Sequence, residues 1–191
     1  MRFEGKGQMA KNLRNMLYWC PRCGVEFAMR DEGNRIFCES CGNAAELNEY
    51  YDLVPFDEAC VIPETPRVWW EMQRANVREL VKDESFLLRE QVKLGALPPY
   101  EYLKNQSTSE IMGEGTLTLT RAGLSFAGTR DGRPFSFLLD AKNLPTYGMC
   151  TDMSRFYTFV DGGFLEFFPA GDTVAKWLLV LAAVYLLSAV F

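Results

Sequence analysis

Four cysteines carry the most specific chemistry that the residue types of this chain allow. They fall as Cys20-Pro21-Arg22-Cys23-Gly24 and Cys38-Glu39-Ser40-Cys41-Gly42, two Cys-x-x-Cys-Gly pairs with fourteen residues between them. A two-residue spacer lets both sulfurs of a pair aim at one point, and thiolates are soft ligands. The pattern therefore predicts a tetrahedral four-sulfur metal site at Cys20, Cys23, Cys38 and Cys41. The 191 residues contain no histidine. Four sulfurs with no open position match a closed, structural Zn2+ site and not a catalytic one. An iron site of the rubredoxin kind and a redox dithiol are the alternatives admitted by the same spacing.

These cysteines need elements to hold them. Between the pairs, "VEFAMR" and "RIFC" flank "DEGN", a turn signal that predicts a short hairpin carrying one knuckle to the other. Hairpin and knuckles together read as a zinc ribbon over residues 18–48, preceded by an N-terminal segment, 1–17. A stretch this short cannot bury enough surface to fold alone. Metal binding, worth roughly 10 to 16 kcal/mol in zinc-finger peptides at neutral pH, would be its main source of stability.

The whole chain sets further limits. With 48% hydrophobic residues it can bury a core, and its formal charge of -5 argues against nucleic acid or an anionic surface as a partner chosen by charge. Within the ribbon Arg22, Arg30 and Arg35 are offset by Glu26, Asp31, Glu32 and Glu39, so no basic stripe emerges. The opening "MRFEGKGQMAKNLRNML" lacks the apolar run of a secretory signal, which predicts a cytoplasmic protein. Six cysteines in that reducing setting are poorly explained as a disulfide framework. Acid is concentrated in residues 49–66, where Glu49, Asp52, Asp57, Glu58 and Glu64 meet no base. Residues 49–84 read as an acidic linker and a helix, with Thr65 as N-cap, Pro66 at the first helical position, and Val68, Trp69, Met72, Ala75, Val77 and Leu80 at helical spacing. Trp69 and Trp70 are expected to pack on a neighbour.

From residue 86 the period alternates, and seven strands are predicted at 86–94, 114–120, 123–129, 134–139, 145–150, 155–160 and 164–168. Asp131-Gly132 and Asp161-Gly162-Gly163 serve as hairpin turns. A helix then begins near Asp172 or Thr173. The expected fold class is mainly β with helices: the ribbon, a linker helix, and a seven-stranded barrel with a C-terminal helix over 85–191. Its element order resembles pleckstrin-homology-like domains, including the GRAM domains. That resemblance implies lipid head-group or peptide binding, but the loop between the first two strands offers Lys104 as its only base against Glu101 and Glu110, too little for several phosphates. Trp177 to Phe191 contains no charged residue. At about 1.5 Å per residue this run falls short of a roughly 30 Å hydrocarbon core. It predicts a helix plugging the barrel, with membrane contact through residues 177–191 as the alternative.

Other catalytic patterns fail on inspection. Gly113 to Gly115 runs into a strand pattern instead of a helix, so it is no dinucleotide loop. Cys60 and Cys150 have no histidine partner and read as buried thiols. The succession "MAKNLRNMLYWCPRCG", "CESCGN", "PETPRVWWEMQR", "VKLGALPPYEYLKNQSTSEIMGEGTLTLTRAGLSF" and "NLPTYGMCTDMSRFYTF" resembles the region after the catalytic domain in some bacterial proteins similar to 1-acylglycerol-3-phosphate acyltransferases. The resemblance implies an accessory region beside a phospholipid acyltransferase or other membrane-associated partner, peripheral at the inner membrane face. That family needs a His-x-x-x-x-Asp motif, and a chain without histidine has none. The expectation is a non-catalytic, zinc-binding interaction module with a protein partner. A glycerophospholipid acyltransferase by family and a nucleic-acid-binding zinc ribbon are the rival classes.

Overall fold

A computed structural model describes residues 5–96, 109–144 and 147–189, and the chain divides into two units, Met1–Val77 and Arg78–Phe191. Lys104, Glu101 and the predicted strand start at 145 lie outside the described residues. As expected, the chain is mainly β with few helices, built on antiparallel sheets of four and seven strands.

In the first unit a short helix, α1 (Leu13–Met16), precedes β1 (Met29–Glu32), β2 (Arg35–Cys38), β3 (Ala44–Leu47) and β4 (Leu53–Pro55), paired in that order. The predicted hairpin turns at Gly33-Asn34, where Glu32 faces Arg35. One face of this sheet buries Met29, Ile36, Ala45, Leu47 and Leu53 with Leu13, Leu17 and Trp69. The acidic stretch expected as a linker is instead partly sheet. Leu47 faces Leu53 and Ala45 faces Pro55, because Leu53 supplies apolar surface to this core while the carboxylates around it point outward. Helix α2 (Pro66–Leu80) starts as predicted, with the Val68 N–H donating to Thr65 Oγ1 at 3.2 Å. Trp69 is fully buried and Trp70 packs against the same core.

The second unit contains all seven predicted strands: β5 (Leu87–Ala96), β6 (Glu110–Thr120), β7 (Gly123–Arg130), β8 (Arg133–Asp140), β9 (Gly148–Met149), β10 (Phe156–Val160) and β11 (Gly163–Pro169). Their order is β8-β7-β6-β5-β11-β10-β9. The closed barrel expected from the sequence is corrected to an open sheet, with β8 and β9 as its edges among the described residues. The β9 edge is two residues long, Gly148–Met149, and pairs with β10 alone among the described residues. Strands β5 and β6 are longer than the alternation predicts, continuing past a bulge at Leu94/Gly95 to pair Ala96 with Glu110. Gly115, set aside above as part of a dinucleotide loop, lies opposite Gly128. A Cβ on Gly115 would sit 2.5 Å from the Ala127 carbonyl oxygen, so the strands can approach here only without side chains.

Phe126, Phe156 and Phe167 line the inner face, and Trp177 of helix α3 (Val174–Ser188) stacks on Phe156 at 5.9 Å. The helix buries Val174, Ala175, Leu179, Val180, Leu181, Ala183 and Val184, and exposes Tyr185 and Leu186. Among the described residues no helix is long and apolar enough to cross a membrane. Thr173 precedes α3 but makes no cap of its own. Its hydroxyl donates to Glu90 Oε2 at 2.7 Å, as does the Trp177 indole N–H at 2.7 Å, while Glu90 Oε1 accepts the Gly171 N–H at 3.3 Å. One carboxylate on β5 thus anchors the start of α3. Glu90→Ala leaves these donors without an acceptor and is expected to destabilise the second unit by about 1–3 kcal/mol, read as a lower denaturation midpoint by tryptophan fluorescence.

Candidate metal centre

The two Cys-x-x-Cys-Gly repeats fold into the same backbone device. In the first, the Cys20 N–H donates to the Val25 carbonyl at 3.0 Å and the Gly24 N–H to the Cys20 carbonyl at 2.9 Å. In the second, Cys38 donates to Asn43 at 2.8 Å and Gly42 to Cys38 at 2.9 Å. Both turns close through a glycine at positive φ, +72° at Gly24 and +76° at Gly42. A Cβ at Gly42 would meet nothing within 4 Å, so backbone conformation and not space demands glycine here.

The hairpin brings the two devices together. All four sulfurs lie within 4.8 Å of one another, with Cys20 Sγ 3.6 Å from Cys41 Sγ and Cys23 Sγ 3.8 Å from Cys38 Sγ. None is in a disulfide. Ligands 2.3 Å from a central ion at tetrahedral corners would be about 3.8 Å apart, so the donor set fits such an ion in both chemistry and spacing. The four cysteines nominated from sequence are therefore assembled into a cluster that can hold a metal.

Burial divides the thiols. Cys20 and Cys38 are buried, which pushes both upward and takes Cys20 to about 12. Cys23 is exposed, and the Val25 N–H draws it down to about 7. A cation at the centre reverses the burial effect by supplying the charge that favours every thiolate. Nearby, Arg30 pairs with Glu39 at 2.9 Å, and Arg22 donates to the Cys41 carbonyl at 3.5 Å.

Two supporting residues were not found from sequence. Gln73 on α2 is fully buried, and its Oε1 accepts the Trp19 N–H at 3.1 Å while its Nε2 donates to the Met16 carbonyl at 3.0 Å. The Trp69 indole N–H adds a 2.8 Å bond to the Trp19 carbonyl. The first knuckle is thus tied at both backbone groups of the residue before it. A polar residue one turn after Trp69 on the buried face was the available signal. The second is Asn43, which is fully buried and contacts Cys20.

The remaining sequence candidates stay apart from this cluster. Cys60 is half-buried and accepts the Ala44 N–H at 3.4 Å. Cys150, also half-buried, is pushed upward by burial, the condition of an inert thiol. In the second unit a cavity of about 800 Å³ is lined by Lys93, Ser109, Ile111, Glu114, Arg155 and Phe168 among others. Arg155 is already paired with Glu166 at 3.3 Å, so the lining does not form a basic cluster. No protein-family model matches the chain, and no curated protein matches it.

Cys23→Ser removes one corner of the tetrahedron. Amide hydrogen exchange across residues 18–43 is expected to accelerate, with β5–β11 unchanged. Because Cys20 holds its proton throughout the neutral range, metal binding must displace it. Affinity should therefore rise with pH and fall on acidification, with proton release measurable by calorimetry in buffers of different ionisation enthalpy.

Proposed function

We propose that the first unit is a zinc ribbon whose metal is a structural Zn2+ and that the protein is a non-catalytic interaction module. The observation that carries the proposal is the sulfur spacing of 3.6 and 3.8 Å, close to the edge of a zinc–thiolate tetrahedron. Four protein sulfurs leave no coordination position for water or substrate, and the chain has no histidine to serve as base. The ion's contribution is then cross-linking: it joins two turns that a small sheet could not hold by burial alone.

The second unit is proposed to be a pleckstrin-homology-like recognition domain. Support comes from its strand order, in which the first strand of the unit pairs with both the second and the seventh, and from the single helix after the seventh. The Arg155–Glu166 pairing beside its cavity disfavours a phosphoinositide and favours a protein or peptide ligand. The proposed partner is a phospholipid acyltransferase or another membrane-associated protein at the inner membrane face, supported by the resemblance of segments such as "PETPRVWWEMQR" to the region after the catalytic domain in acyltransferase-like proteins.

Elemental analysis of protein purified without chelator tests the metal assignment. One zinc per chain is expected, with loss of first-unit structure on strong chelation and recovery on zinc addition. An absence of bound metal, or a red iron–thiolate spectrum, overturns it.

A further inference from the structure

The two knuckles repeat each other's backbone but not the residue that follows their glycine. After Gly24 stands Val25, 40% exposed; after Gly42 stands Asn43, fully buried. Both use their carbonyl to accept a cysteine N–H. Only Asn43 also has a side chain directed at the sulfurs. Its Nδ2 donates to Cys20 Sγ at 3.7 Å and to the Val61 carbonyl at 2.9 Å, and its Oδ1 accepts the Val61 N–H at 2.8 Å. The amide is thereby shared between one ligand sulfur and a segment about twenty residues downstream. The next residue extends the link, because the Ala44 N–H donates to Cys60 Sγ and the Ala44 carbonyl accepts the Phe56 N–H at 3.0 Å.

We propose that Asn43 is a positioning residue for the metal, setting the electron density and orientation of the Cys20 thiolate and making metal occupancy and the seating of Cys60-Val61 one coupled event. This rests on the four-thiolate assignment above. A hydrogen bond to a ligating sulfur withdraws charge from it, and outer contacts of this kind typically change metal affinity by about 10–100-fold. The coupling follows from the shared amide. If Cys20 is displaced when the ion leaves, Nδ2 loses one of its two acceptors and the turn that presents Asn43 to Val61 loosens.

Co2+ is the probe, since its thiolate charge-transfer absorption reports on sulfur directly. Asn43→Ala removes the whole amide, whereas Asn43→Asp keeps an acceptor for the Val61 N–H and loses the donor to Cys20. Both variants should bind Co2+ about 10–100-fold more weakly, with charge transfer moved to lower energy, a shift that a merely structural role would not produce. Unchanged affinity and spectrum in both would overturn the role at Cys20. The coupling is tested without any variant, by mapping alkylation of Cys60 in the native protein. Removing the metal with a chelator should accelerate it about tenfold or more, by opening the segment, and an unchanged rate overturns the coupling. If the native protein gives no cobalt–thiolate band at all, it is the four-thiolate assignment that fails, taking this inference with it.

Discussion

Four sulfur atoms crowded within 4.8 Å are an unfavourable arrangement as bare thiolates and a favourable one around a cation. Much else in the first unit follows from that constraint. Its sheet strands are three or four residues long, and its apolar core is assembled from short pieces at both ends of the unit. Such pieces bury too little surface to oppose the loss of chain entropy unaided. The sulfur cluster sits at the two knuckles, where a central ion would cross-link the two turns. The direction in which burial pushes Cys20 shows what happens without the charge: the buried thiol keeps its proton.

Buried amides do the remaining joining. Gln73 and Asn43 are both fully buried, and each uses its donor and acceptor on groups near the knuckles. An unsatisfied amide in such a place would cost about as much as a lost hydrogen bond, so each specifies one arrangement of its neighbours. The second unit applies the same logic with a carboxylate. Glu90 gathers donors from Gly171, Thr173 and Trp177, and so places an almost wholly apolar helix whose own pattern gives little directional information.

The strands of the second unit were legible because alternation survives on a sheet buried on one face, and Asp-Gly marks hairpins at residues 131–132 and 161–162. Their ends were less so. Gly95 and Ala96 looked like loop because glycine and alanine have weak strand preference, yet the ladder continues across the bulge to reach them. Closure is not legible from strand number and order alone, since whether the two edges meet is set by the three-dimensional course of the sheet, here open between β8 and β9. The acidic stretch reads as linker because charges dominate its composition, while Leu53 and Ile62 pack on the core and Leu53–Pro55 pair with β3.

Sequence alone determined which four cysteines gather, because the spacing and glycines of a Cys-x-x-Cys-Gly turn are local chemistry, and the two copies adopt one backbone pattern. It also determined the number of strands in the second unit and the absence of an imidazole base. Tertiary structure decided which sulfurs lie nearest, that Asn43 turns inward where Val25 turns outward, and that Gln73 and Glu90 hold elements far from them in the chain. Those choices depend on which polar atoms become buried beside one another, and burial arises only when distant segments pack together.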